Sequence, residues 1–485
     1  MKTLLHVKKI GFVAAVCLAT SLTSSAQTFE TVASFGTNLF LPTGVAEGVD
    51  GNLYALASGG TNRWGAAAEV ASPNVVPVYN FCALSNCTDG SYPIGSLVLG
   101  ADGNLYGDTY SGGTSSACSG CGQGSVFRIS YRGGFTKIHD FCLQTNCIDG
   151  STPEAGLSEG IDGNLYGATF NGGVNPGPYN TGYGTVFKLT TSGQFKTLYN
   201  FCSLANCTDG SNPFSAPIQG MDGNLYGTTG YGGAHNLGSV YVLNQSGQLR
   251  TIASFRRSAD SGVKPLLLIQ AADGTLYGTT STGGAAGQGT IFKITPSGSM
   301  NTLYSFCSLA NCADGAGPSS LLQGPDGNLY GTAASGGGCG PVCGGTIFEL
   351  TPQGALTTLY DFCSQSSCAD GDTPLSMTLS TDGKLYGVTY YGGAVSHGAV
   401  FSLSMGFSPF VQPNPAGGKI GRMIGILGND LIGTTAVTFN GAPAVFTVMS
   451  DTLLKATVPS NATTGPIQVT TPSGTLSSIV NFQVR

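Results

Sequence analysis

Charged side chains are scarce in this chain: Lys and Arg number 19 and Asp and Glu 25 among 485 residues. A disordered polyelectrolyte is excluded, because such chains carry high charge density. The formal net charge of −6 argues against a nucleic-acid binder, which neutralises phosphates with basic residues. Tryptophan occurs once, at Trp64, and histidine four times. Past the N-terminus, no segment reads as a membrane span.

Turn formers and β-formers are plentiful. Glycine occurs 76 times, and the hydrophobic fraction of 41% is ample for a core. Turn residues mixed with β-branched and aromatic ones point to an all-β architecture.

Residues 1–26 read as a secretory signal. Lys2, Lys8 and Lys9 are its basic region, Ile10 to Leu22 its apolar run, and Ser24-Ser25-Ala26 its cleavage site. Val16 precedes Cys17 where a lipoprotein needs a small residue. Cleavage takes the formal charge from −6 to −9. The remaining cysteines fall into local pairs: Cys82/Cys87, Cys118/Cys121, Cys142/Cys147, Cys202/Cys207, Cys307/Cys312, Cys339/Cys343 and Cys363/Cys368. Close, even pairing suits disulfides in an oxidising compartment. A secreted or cell-surface location is therefore expected.

A repeat dominates the rest. The core D-G-N-L-Y starts at Asp50, Asp102, Asp162, Asp222, Asp273, Asp326 and Asp382, with Thr275 and Lys384 replacing Asn in two copies. One period, residues 214–255, reads as four short strands, with a tight turn at Asp222-Gly223. The fourth strand type occurs only six times after residue 40. Its seventh copy stands at the front, as Phe29 to Phe35. The expected fold of residues 27–405 is a seven-bladed β-propeller whose last blade is completed by that N-terminal strand.

The units resemble the GloVer repeat of exported bacterial proteins, most closely over Pro213 to Gly233 and Gly184 to Phe201. The resemblance covers about residues 28–405 and implies export and a propeller-like fold, with no established activity. Ala55 and Leu56 depart from the pattern in the first unit. Residues 406–418 read as a linker. Residues 419–485 resemble an IPT/TIG domain, a small immunoglobulin-like β-sandwich, through Gly425 to Leu431, Val437 to Ala444, Ala456 to Pro459, Thr463 to Gly465 and Phe482 to Val484. Such domains serve as spacers or interaction modules.

Propeller geometry places the tight turns on one face and the long loops on the other, where function is expected. The candidate ligand residues there are aromatic (Trp64, Tyr110, Phe170, Tyr231 and Tyr391) or acidic. The acids are Asp89, Asp149, Asp209, Asp260, Asp314 and Asp370, one per inter-blade loop, and each also fits an Asx-turn. Exposed aromatics on a weakly charged face suit glycan stacking or protein contacts. The cysteine pairs read as loop staples. A zinc site joining Cys118, Cys121, Cys339 and Cys343 would link blades that are not neighbours. His139, His235 and His397 are too scattered for a metal centre. Gly156-Leu157-Ser158-Glu159-Gly160 matches G-x-S-x-G by letter only, since no strand–turn–helix follows. The Asp-Gly-Asn turns suggest calcium only weakly, with one acid per hairpin. No catalytic residue and no cofactor is assigned. The expectation is a non-catalytic protein binding an extracellular glycan or surface protein. The alternatives are a secreted polysaccharide lyase or hydrolase and a structural envelope component.

Overall fold

The computed structural model describes residues 27–114, 123–131, 133–177, 181–257, 261–338, 340 and 344–485. The signal-peptide reading, both cysteine pairs of the zinc alternative (Cys118/Cys121 and Cys339/Cys343) and Asp260 lie outside them. Among the described residues there is no α-helix, and no helix is long and apolar enough to cross a membrane.

Residues 28–404 form seven four-stranded antiparallel sheets. Sheet 1 is Phe40–Glu47, Leu53–Gly59, Ala66–Ala71 and Asn74–Asn80; sheet 4 is Ile218–Gln219, Leu225–Thr229, Ser239–Leu243 and Leu249–Ser254. Sheets 2, 3, 5 and 6 follow the same order. Sheet 7 consists of Asp372–Leu379, Lys384–Tyr391 and Ala399–Ser404, with Thr28–Ser34 as its outer strand. Thr28 pairs with Ser404 and Ser34 with Ala399. The third strand of the first unit, Ala66–Ala71, pairs on both sides.

The pentapeptide explains its own recurrence. In sheet 4, Asp222 Oδ1 accepts the Asn224 N–H at 3.0 Å, while Oδ2 accepts the Asn224 side chain at 2.7 Å and Tyr226 O–H at 2.8 Å. The same Tyr-to-Asp bond recurs at Tyr54, Tyr106, Tyr166, Tyr330 and Tyr386. Gly223 takes φ +81°, as the turn requires. The aspartate is consumed by its own hairpin.

Adjacent sheets share apolar cores. Phe201, Tyr241 and Leu225 pack with Tyr166 and Val186 between sheets 3 and 4. Sheet 7 packs on sheet 1 in the same manner, through Val388, Val400, Ala33 and Phe35 against Val45, Leu53 and Ala55. A second device couples neighbours at the long-loop end. At the start of each first strand, or a few residues before it, stands an X-Pro pair whose X residue donates its N–H to a carbonyl of the preceding unit. Lys264 bonds Leu237 at 3.1 Å, Asn212 bonds Tyr183 at 2.8 Å, and Leu41 bonds His397 at 3.0 Å across the sheet 7–sheet 1 junction. The proline ring lies against a glycine that opens the third strand of that preceding sheet. A β-carbon on Gly238 would stand 2.5 Å from Pro265 Cδ, so only glycine fits there.

Two further four-stranded sheets, from residues 412–477, enclose one core around Ile424, Ile426, Val437, Phe439, Leu454 and Val469. Part of the expected linker belongs to this unit. Gln412–Asn414 pairs with Met423–Leu427, and Gly417–Gly418 pairs in parallel with Gln483–Val484. The polar, Pro- and Gly-rich composition of 406–418 hid these short edge strands.

The C-terminal unit sits on the tight-turn ends of the sheets. Asn414 donates to the Gly100 carbonyl at 3.2 Å and Arg422 to the Asp162 carbonyl at 3.0 Å. Asn429 meets Thr381 at 2.9 Å and Thr452 the Val49 carbonyl at 2.8 Å. The turns of sheets 7, 1, 2 and 3 are thus engaged.

Candidate functional site

The C-terminal unit covers turns at one end of the sheets, and among the described residues it makes no hydrogen bond to the long-loop end. The outer part of the long-loop end is built by the loops that follow the fourth strands. Disulfides close five of them: Cys82–Cys87, Cys142–Cys147, Cys202–Cys207, Cys307–Cys312 and Cys363–Cys368.

The loop aspartates do not face solvent as a ring of ligands. Asp89, Asp149, Asp209, Asp314 and Asp370 are all buried. Asp209 shows why. Its carboxylate accepts the N–H groups of Ser203 and Leu204 at 2.8 and 3.2 Å and the Tyr199 hydroxyl at 2.8 Å. Asp89, Asp314 and Asp370 repeat this with Tyr79, Tyr304 and Tyr360. Positive φ at Cys202, Asn206 and Cys207 curls the loop back over the acid. These carboxylates therefore hold the loops and are closed to a ligand.

One copy is incomplete. In the second loop His139 replaces the tyrosine. It stacks on Phe195 at 3.9 Å between centroids and lies 4.0 Å from Asp149 Oδ2, beyond hydrogen-bond reach, and Asp149 Oδ1 lacks a partner. Burial lowers the His139 pKa and favours the neutral ring, against the pull of Asp149 and Asp140.

The same end carries the seven X residues before proline, one per sheet: Leu41, Tyr92, Thr152, Asn212, Lys264, Gly317 and Thr373. All have positive φ, from 54° to 64°. The region before proline resists such a conformation, and for Thr, Leu and Tyr it is strained. The inter-sheet bond of each N–H holds it in place. The backbone is therefore constant from unit to unit while the side chain changes at almost every step.

The aromatic candidates fall into separate groups, two of which include an X residue. Trp64 packs edge-on against Tyr92 at 5.2 Å. Phe170 and Tyr231 both lean on Phe214, at 5.2 and 6.2 Å, and the Lys264 ammonium stands 5.4 Å over the Tyr231 ring. Tyr391 packs on Tyr390 at 4.8 Å, and Tyr110 is exposed. Sequence reasoning missed Tyr92, Phe214 and Lys264. The signal was available: these positions vary where the surrounding repeat does not.

Two carboxyl groups near this end are perturbed by burial. Glu154, one residue past Pro153, is raised above the usual carboxylate range. Asp108 is fully enclosed, no side chain bonds either oxygen, and desolvation pushes its pKa up to about 8 against the weak pull of the backbone N–H groups of Asp108 and Gly156. Other units carry Leu56, Ala168, Thr228, Thr279, Thr332 and Val388 there. Among the described residues no three His, Cys, Asp or Glu side chains converge on one point. On the opposite side, a cleft of about 630 Å³ lies between the C-terminal unit and the turns of sheets 1 and 2. Val49, Tyr131, Leu427, Met449 and Lys455 line it, together with Asp50 and Asp102, whose oxygens serve their own turns.

Among solved structures, the chain is similar to the extracellular domain of a hybrid two-component system from B. thetaiotaomicron, with a TM-score of 0.52 and 11% identity over 94% of this chain and 46% of that one. It thus spans about half the length of that protein. A fungal alcohol oxidase of the AA5 family, in complex with copper, is similar with a TM-score of 0.47 and 13% identity, over 94% of this chain and 98% of that one. At such identities the likeness concerns the all-β fold alone. No curated protein matches the chain in sequence. The Gloeobacter/Verrucomicrobia repeat matches residues 16–241, 121–313, 215–421 and 308–452, in overlapping tandem registers. The chain belongs to the Gloeobacter/Verrucomicrobia repeat family.

Proposed function

We propose that this is an exported, non-catalytic binding protein: a closed seven-bladed β-propeller that takes its ligand on the long-loop face, with an IPT/TIG-like sandwich docked behind it. Closure is supported by the sheet 7–sheet 1 junction, which repeats the packing and the X-Pro bond found between other neighbours. Export is supported by the five disulfides and by the N-terminal leader pattern.

The observation that carries the binding reading is the series of X-Pro positions. Backbone geometry there is repeated seven times, yet the side chains run through Leu, Tyr, Thr, Asn, Lys, Gly and Thr. Strain held in place by surrounding structure is common at binding sites. The exposed Trp64–Tyr92 pair and the Phe170–Phe214–Tyr231–Lys264 group offer flat apolar faces beside polar donors, suited to a glycan or a surface protein. A polysaccharide-cleaving enzyme gains less support, because Asp108, the enclosed carboxyl beside Glu154, is out of reach of solvent.

A glycan and surface-protein screen with residues 27–485 tests the reading. Ligands recovered by the wild type should be lost by the double variants Trp64→Ala/Tyr92→Ala and Tyr231→Ala/Lys264→Ala. Equal binding by wild type and both variants would overturn it.

A further inference from the structure

The stapled loops present a second feature, which rests on the long-loop face being the binding face. Four of them carry an exposed leucine: Leu84, Leu143, Leu204 and Leu309, each 56–57% exposed. Leu84, Leu204 and Leu309 occupy one equivalent position with nearly one backbone conformation, φ −95° to −104° and ψ 154° to 157°. Each N–H is held by its loop aspartate at 3.1–3.2 Å. The tips are therefore rigid, and binding through them costs little ordering.

Folding does not demand leucine at these tips. Gln144 and Gln365 stand at the same position in the second and sixth loops, with the same backbone. In a chain with ample polar residues, exposed leucines kept on separate rigid tips point to something they enter.

The charges on this face point to what that is. The fourth loop has no cysteine pair and carries Arg256 and Arg257, both exposed. Among the described residues, the exposed charged side chains of the long-loop face are Arg63, Arg256, Arg257 and Lys264, all basic, while its acids Glu154, Asp361 and Asp372 are half-buried, in a chain of net charge −6. The five described loop aspartates, which would offset them, are buried. Its most exposed side chains are thus apolar at the outer tips and basic between them. A protein partner would call for one contiguous apolar patch. Separate tips, one per loop around a rim, fit a broad, soft surface that each can enter independently.

We propose that the long-loop face docks on a lipid bilayer bearing anionic headgroups. Leu84, Leu143, Leu204 and Leu309 enter the headgroup boundary, and Arg256 and Arg257 meet lipid phosphates. No segment spans the bilayer in this arrangement.

Co-sedimentation of disulfide-intact residues 27–485 with vesicles tests it, using phosphatidylcholine alone and phosphatidylcholine with phosphatidylglycerol. Association is expected with the anionic vesicles, weakening as salt rises. The triple variant Leu84→Gln/Leu204→Gln/Leu309→Gln borrows the residue of the second and sixth loops, so it should melt like wild type. Its association should fall by about tenfold or more. Arg256→Gln/Arg257→Gln should lose about tenfold and most of the salt dependence. No association with anionic vesicles, or unchanged association in the folded triple variant, overturns the proposal. Glycan or protein capture without vesicle association also overturns it, while leaving the binding-face reading intact. Loss of capture in the Trp64 and Tyr231 variants with vesicle association unchanged supports both readings on separate parts of the face.

Discussion

Replacing Asp108 by threonine should stabilise the protein near neutral pH, because the fold encloses this carboxyl without a side-chain partner. Asp108 is 0% exposed and no side chain bonds either oxygen. Desolvation pushes its pKa from 3.8 to about 8, so it is largely protonated in the native state at pH 7. In the unfolded chain it is ionised at that pH. Holding the proton across three units costs about 1.4 kcal/mol per unit, or roughly 4 kcal/mol as an upper bound. The sign follows from the raised native value. The stability associated with the bound proton is fully present below about pH 4 and is lost as pH rises towards 8. Threonine already occupies this position in other units, and Thr228 there donates to the Leu266 carbonyl at 3.0 Å. Asp108→Thr should therefore gain about 2–4 kcal/mol at pH 7 and almost nothing at pH 4. With about 380 residues unfolding together, that gain raises Tm by about 3–5 °C. Melts of both proteins from pH 4 to 9 isolate Asp108, since the other titrating groups cancel in the difference. A difference that is flat across this range, or a variant less stable than wild type at pH 7.5, refutes the reasoning.

Three other outcomes are expected. His139→Tyr should restore the Tyr–Asp bond missing from the second loop and add about 1–2 kcal/mol by urea titration at pH 7. Cys202→Ser/Cys207→Ser should cost about 2 kcal/mol by the same measurement, since the loop it opens is short. Gly238→Ala combines φ +100° with a β-carbon 2.5 Å from Pro265, and should cost about 3 kcal/mol or prevent folding at 37 °C.

The strands were legible because their determinants are local. Asp222, Gly223 and Tyr226 satisfy one another within five residues, so the pentapeptide marks a hairpin wherever it occurs. The pairing of Thr28–Ser34 with Ala399–Ser404 was legible by counting strands. The fate of Asp209 was not, because its direction depends on positive φ at Cys202, Asn206 and Cys207, and letters alone do not report that. Nor was the place of the C-terminal unit. Its hydrogen bonds go mainly to backbone carbonyls, at Gly100, Asp162 and Val49, and backbone leaves no compositional trace. The roles of Tyr92 and Lys264 were hidden for a similar reason. Their position is defined by a proline and an inter-sheet bond rather than by residue type.

The two ends of the repeat are under different physical demands. At the tight-turn end most of the aspartates are engaged by the asparagine and tyrosine that follow them, so the end offers carbonyls for docking. A unit that recognises backbone can dock there, and the C-terminal unit does so through Asn414, Arg422 and Thr452. At the long-loop end the constant parts point inward: the disulfide, the buried aspartate, the glycine beneath each proline. Once these fix the backbone, the outward side chains are free of the folding problem, as Gln365 in place of leucine demonstrates. Variation is then cheap where it can be read by a partner and costly everywhere else. A ligand should therefore be sought among Trp64, Tyr92, Tyr231, Lys264 and the loop leucines, and substitutions there should alter binding with little change in Tm.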